Sequence, residues 1–226
     1  AKAETIFVPE SGQGALGPAL VPVGQAYSDY RNHPLFMRRM RTLLSSLFNH
    51  EARFEFPRIW FTKAETLAEY LKVDENAKLS QTRSCWQDNR HASIGGVRRQ
   101  CGICAACMLR RLSVHAADLE EEQKTYVWEN LKAHTFEEGA AVGLKRIDRA
   151  QREYAIAGAL HLDHLAHLRD AEIHASTIRL NASQLAKTFD LSIDLVSNNL
   201  DRLLQTHANE WKSFTMALGS KSFLNR

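Results

Sequence analysis

The chain has 226 residues, 44% of them hydrophobic and 24% charged, with a net charge of +3. That is enough to bury one sizeable core, or one core with a helical appendage. No stretch resembles a signal peptide, and the longest apolar run, residues 154–168, is broken by His161, Asp163, His164 and His167, which excludes a bilayer span. The charge is uneven: from Arg83 to Arg111 six arginines stand against one acid, Asp88. Such a surface suits a phosphate-bearing ligand, and a solvated loop equally well.

Taken in chain order, residues 6–8 read as a short buried strand, and the abrupt Ala1-Lys-Ala-Glu-Thr opening suggests that the chain begins partway through a larger protein. Residues 10–18, rich in glycine, read as a loop. A helix is expected from Pro34, with Asn32 or His33 near the cap. Its apolar residues Phe36, Met40, Leu43, Leu44 and Leu47 recur at helical spacing and are expected to face a core, with Arg38, Arg39 and Arg41 on the other side. Residues 54–61 read as an edge strand interrupted by Pro57. Thr62-Lys63-Ala64-Glu65 is a capping box opening a helix through Leu71. From about Leu112 the chain is expected to be helical to its end. Helices are predicted over 114–132 and 148–169, from Asn181, and from beyond Leu191-Ser192 to about His207. There is no internal repeat and no low-complexity tract.

All four cysteines fall within residues 85–107. Cys101-Gly-Ile-Cys104-Ala-Ala-Cys107 places three thiolates on one tight turn, and Cys85 can close a tetrahedron. Four soft donors at about 2.3 Å make a closed structural zinc site, with no position left for catalytic water. Disulfides need an oxidising compartment, and cysteines three apart on a knuckle rarely pair. An iron–sulfur cluster uses similar ligands, but one distant cysteine beside a knuckle is the commoner zinc pattern. Thiols kept for metal and the lack of an export signal point to the cytoplasm as the expected compartment.

Ser84-Cys85-Trp86 followed by Cys101-Gly-x-Cys104-x-x-Cys107-x-x-Arg110 resembles the C-terminal zinc motif of the 7-cyano-7-deazaguanine synthase family, QueC. Phe61-Thr-Lys63-Ala-Glu65 resembles the lysine–glutamate helix start before those cysteines. Pro9-Glu10-Ser11-Gly12, with Arg31-Asn-His33-Pro34, is similar to divergent members of the kind found in bacterial anti-phage defence. The resemblance covers about residues 5–115. It implies an α/β fold, the C-terminal part of a doubly wound nucleotide-binding domain with its four-cysteine knuckle (1–115), followed by an all-α extension (116–226). It also implies ATP- and Mg²⁺-dependent conversion of a 7-deazaguanine carboxylate by adenylation, then amide or nitrile formation, with attachment of the base to a partner protein in the defence-type members. The family's Ser-Gly-Gly-x-Asp-Ser phosphate loop does not occur in the chain; Ser93-Ile-Gly95-Gly96-Val97 lacks the aspartate and follows no strand. Either the nucleotide-binding half lies upstream, or this member has lost it.

The resemblance marks Glu10, Ser11, Arg31, His33, Lys63 and Arg110 as candidate substrate or nucleotide contacts, and leaves the catalytic residues unassigned. Each has a plainer reading. Glu10 and Ser11 suit a glycine-rich turn, and Glu65 closes the capping box over Lys63. Arg31 and His33 flank a helix start, which favours anions. Arg110 can reach a phosphate or base, or donate to a cysteine sulfur. His161, His164 and His167 drift by about 60° per step on a helix and are read as core or interface histidines, not as one metal site. Residues 181–204 have the cadence of a helix-turn-helix, but the second helix is acidic (Asp194 and Asp201 against Arg202), so DNA is not the expected partner. The partners expected are a deazaguanine-type small molecule and, through the helical extension, a protein or a second copy. The competing reading is a non-catalytic zinc module that holds a base, a nucleic acid or a protein.

Overall fold

The computed structural model describes residues 3–22, 30–73, 79–87 and 92–225. Among them the chain runs β1 (Thr5–Phe7), α1 (Gly12–Ala15), α2 (Gly17–Leu20), α3 (Pro34–Phe48), β2 (Arg53–Glu55), α4 (Lys63–Val73), β3 (Ser93–Ile94), β4 (Val97–Arg98), α5 (Ala105–Ala116), α6 (Arg149–Ala166), α7 (Ala175–Phe189) and α8 (Ile193–Leu218). The fold is mixed and rich in helix, with two small sheets. It forms two compact units, Ala1–Thr66 with His164–Ala208, and Leu67–Asp163 with Asn209–Arg226. These units interleave along the chain.

In the first unit β1 and β2 pair in parallel, with Ile6 opposite Phe54. The bonds Arg53 N–H to Glu4 O and Val8 N–H to Glu55 O, both 2.8 Å, close the ladder. The expected buried strand is not buried: Phe7 is 62% exposed, because only its neighbour β2 covers it. The edge strand expected over 54–61 shrinks to β2, and Pro57 onward is turn. The glycine-rich stretch is not a loop but two short helices. Ser11 caps α1 by accepting from Gly14 N–H at 3.3 Å, and Leu16 and Leu20 anchor the pair in the core. Gly12 is required there, since a Cβ would lie 2.2 Å from Ile59 O.

Helix α3 begins as expected, with His33 as N-cap and Pro34 in the first turn. The expected apolar face is only partly covered: Met40 and Leu44 are half-buried, and Arg38, Arg39 and Arg41 are exposed as expected. Leu43, Leu47 and Phe48 are 50%, 64% and 68% exposed, and the exposed Arg38 donates to Lys187 O at the end of α7. The capping box of α4 is present in both directions: Glu65 N–H donates to Thr62 Oγ1 at 3.1 Å, and Thr62 N–H to Glu65 Oε2 at 2.7 Å. The core gathers Leu16, Ile59, Leu185, Val196, Leu200 and Leu203, and Asp190 in the left-handed region ends α7. Helix α7 starts at Ala175, six residues before the expected Asn181, and α8 runs past His207 to Leu218.

The second unit holds the cysteines. The helix expected over 114–132 stops at Ala116, and most of 117–148 is irregular. The chain leaves the helix because Val127 N–H and Trp128 N–H donate instead to Gln100 O and Cys101 O, at 2.8 and 3.0 Å. Trp128 is fully buried and stacks on Phe136, which meets Phe223 edge-on. Ser222 Oγ donates to Leu131 O at 2.7 Å, tying the C-terminal residues to this segment. No helix among the described residues is long and apolar enough to cross a membrane.

Leu200→Ala empties a fully buried site and is expected to cost about 2–5 kcal/mol. Leu180→Ala, at a position 59% exposed, is expected to stay within about 0.5 kcal/mol of wild type. Urea unfolding followed by circular dichroism measures both.

Candidate metal centre and neighbouring polar sites

The four cysteines come together because each is placed by a different local device. Gly102, at φ 85°, turns the chain between Cys101 and Ile103, and a Cβ there would lie 3.0 Å from Trp128 O. Cys104 sits at the N-cap of α5, so Cys107 faces back from the first helical turn. Gln100 brings in the distant ligand: its Oε1 accepts from Ser84 N–H and Cys85 N–H at 2.8 and 3.2 Å. Cys101, Cys104 and Cys107 are buried and Cys85 is half-buried.

The four sulfurs lie within 4.8 Å of one another, and Cys101 and Cys107 are 3.8 Å apart. A tetrahedron with metal–sulfur bonds of about 2.3 Å has edges of about 3.8 Å, so the cage fits a zinc-sized ion. Backbone N–H groups point at the sulfurs, Cys101 to Cys85 at 3.2 Å and Cys104 to Cys101 at 3.3 Å, which stabilises thiolate. Hydrogen bonds from Cys101 hold the Cys85 and Cys104 thiols below their ordinary range. Hydrogen bonding to Cys104 and Cys101, respectively, together with burial, pushes Cys101 and Cys107 above it. Four such thiols shed all their protons together only around a cation.

Packing behind the cage is tight. Arg111 donates to Trp128 O and Glu129 O at 2.6 and 2.8 Å, and its guanidinium lies 4.3 Å from the Tyr126 ring centre. On α6, a Cβ at Gly158 would fall 2.9 Å from Ile103 O and 3.0 Å from Ala105 N. Gly95 and Gly96, both at positive φ, form the two-residue turn of the β3–β4 hairpin, so this glycine pair is a hairpin tip.

Arg110 is engaged in a buried network. Its Nε donates to Glu121 Oε1 at 2.8 Å, and its two terminal nitrogens to Thr82 Oγ1 and Leu79 O at 2.6 and 2.7 Å. Tyr126 OH donates to the other oxygen of Glu121. The guanidinium therefore fastens the segment before Cys85 to α5. Sequence reasoning missed Gln100, Glu121 and Gly158. Only Gln100 carried a signal, as a polar residue directly before the ligand Cys101.

In the first unit Glu10, Ser11 and Lys63 lie together. Glu10 Oε1 accepts from Ser11 N–H at 3.0 Å and faces Lys63 Nζ at 3.5 Å. Below them Gln13 Oε1 accepts from Lys63 N–H at 2.8 Å, and Gln13 Nε2 lies 2.8 Å from Nδ1 of the buried His207. Gln13 and His207 had no sequence signal. Arg31 is exposed. His33 is fully buried: its Nδ1 accepts from Leu35 N–H at 3.1 Å, and its O accepts from Phe36 N–H and Met37 N–H. With these N–H groups engaged, the start of α3 is not an open anion site.

One metal ion per chain is expected by elemental analysis. Cys107→Ser should abolish it, and Gly158→Val should speed its loss to a chelator by pushing on the backbone of Cys104. Burial lowers the His33 pKa from 6.5 to about 4. The unfolded chain therefore binds the proton first, and stability present above pH 6.5 is lost as pH falls through about 4. His33→Asn, which keeps a cap, should flatten that dependence by roughly 2–3 kcal/mol in urea titrations compared across pH.

Residues 20–118 match the family model described as Queuosine biosynthesis protein QueC. The match spans all four cysteines, α3, β2 and α4, and covers a little under half of the chain. No curated protein and no solved structure matches the chain. Over that stretch the chain is a QueC-like relative carrying a four-cysteine cluster able to hold a metal such as zinc.

Proposed function

We propose that the chain is the zinc-stapled, substrate-side portion of a QueC-like ligase that activates the carboxylate of a 7-deazaguanine with ATP and Mg²⁺, giving an amide or nitrile. The observation that carries this reading is the QueC family match running unbroken through the closed four-cysteine cage. Zinc is structural here: four sulfurs fill its coordination and leave none open to substrate. The phosphate-binding loop belongs to a polypeptide portion outside these 226 residues. Membership of an anti-phage system, with the base passed to a protein, is the finer form of the same proposal, and a reducing cytoplasmic compartment suits the free thiols.

Of the tentative contacts, Lys63 with Glu10 and Ser11 is the best placed to meet a ligand. Lys63 and Glu10 keep 29% and 30% of their side chains exposed, at the joint of two helix starts. The ammonium would hold the substrate carboxylate, exchanging Glu10 for it. Arg31 is retained as an exposed cation for phosphate. Arg110 and His33 are assigned to positioning, because their polar atoms face the protein. The second reading, a non-catalytic zinc module for a base or nucleic acid, is favoured by the missing phosphate loop and by the exposed Trp86 beside Cys85.

Titration calorimetry of the zinc-loaded chain with 7-carboxy-7-deazaguanine separates the two. The ligase reading expects saturable binding that weakens at least about tenfold in Lys63→Ala and is lost for the uncharged 7-deazaguanine. Equal affinity for charged and uncharged bases, unaffected by Lys63→Ala, would sink it in favour of the binding module.

A further inference from the structure

Helix α3 packs against β2 and the end of α7. Between these three elements lies a cleft that shares no residue with the cysteine cage or with the Glu10, Ser11 and Lys63 cluster. Its inner volume is about 40 Å³, room for a head group of a few non-hydrogen atoms, and about 300 Å³ counted out to the open mouth.

The floor of the cleft is apolar and held in place. Phe54 and Phe56, two apart on extended chain, turn to the same side and both line it. Phe189, the last residue of α7, meets Phe56 edge-on with ring centres 5.7 Å apart, and Met37 lines the α3 side. The mouth is cationic: Arg38 and Arg41, one turn apart on α3, border it, and no acid does. Lys187 O takes one donor of Arg38, at 3.0 Å, and leaves the rest of its fork open. Arg41 makes no hydrogen bond or ion pair among the described residues. Two guanidiniums over an apolar floor, with no carboxylate to balance them, suit an anion that carries an apolar group.

We infer that this cleft binds a small-molecule phosphate monoester, with the phosphate between Arg38 and Arg41 and the organic group against Phe54 and Phe189. Two arginine forks favour phosphate over carboxylate, because each fork takes a pair of oxygens and a carboxylate has a single pair to share. The apolar floor favours an ester over inorganic phosphate, since the organic group leaves water as it binds. The inference is independent of the ligase reading, whose candidate contacts lie outside the cleft.

Titration calorimetry of the zinc-loaded chain, with phenyl phosphate, inorganic phosphate and benzoate as probes, tests it. Phenyl phosphate is expected to bind at one site per chain, at least about tenfold more tightly than either of the others. Arg41→Gln should weaken it at least about tenfold. Arg39→Gln, two residues away on the same helix and not bordering the cleft, should leave it unchanged. Both side chains are exposed, so thermal melts and metal content should match the parent and leave binding as the readout. Absence of saturable binding, or an equal loss in the two variants, would overturn the inference. So would benzoate or inorganic phosphate binding as tightly as the ester, or a phosphorylated peptide binding far more tightly than phenyl phosphate.

Discussion

Four thiols, three of them buried, cannot share one small space as thiolates unless a cation sits among them, and much of the second unit is arranged around that requirement. Cys85 arrives from sixteen residues upstream of Cys101, held by Gln100 on one side and by the Arg110 network on the other. The backbone from Tyr126 to Trp128 pairs with Gln100 and Cys101 rather than continuing α5. Bound metal in such sites is worth on the order of 10 kcal/mol in apparent terms, comparable to the whole stability of a small domain. The irregular segment 117–148 is thus ordered by the knuckle and by the buried Trp128, with little regular hydrogen bonding of its own.

The first unit has no such staple, and holds together by apolar burial between the short helices α1 and α2 and the α7–α8 pair. Polar bonds fix the approach of the segments: Arg202 joins Glu65 at 2.7 Å, and Arg169 joins Asp201 at 2.6 Å. Both pairs are partly exposed and contribute little energy, but they set direction. Among the described residues, the outer edge of β1 and the side chains of Leu43, Leu47 and Phe48 on α3 stay outside this closed interior.

What could be read in the sequence was local. The knuckle, the His33–Pro34 start and the Thr62–Glu65 box each depend on residues a few positions apart, and all are present. The amphipathic period of α3 was legible, but the period cannot say how much of that face is covered: Met40 and Leu44 are half-buried while Leu43, Leu47 and Phe48 are exposed. Residues 114–132 carried a helical pattern that lost to long-range bonds from Val127 and Trp128. The glycines at 12 and 14 suggested a loop, yet Gly12 is there because Ile59 approaches too closely for a side chain. The partners His207 and Gly158 were invisible, since each acts on a residue far away along the chain.

The interleaving of the two units has a consequence for how the protein emerges from the ribosome. Each unit needs a late segment, His164–Ala208 for one and Asn209–Arg226 for the other. The cysteine knuckle is complete by residue 107 and can capture its ion while most of the helical sequence is still being synthesised. The apolar strip of α1 and α2, by contrast, waits for α7 and α8, more than 150 residues behind it. At about 5–20 residues per second that is an exposure of many seconds, long enough for a chaperone to compete for it.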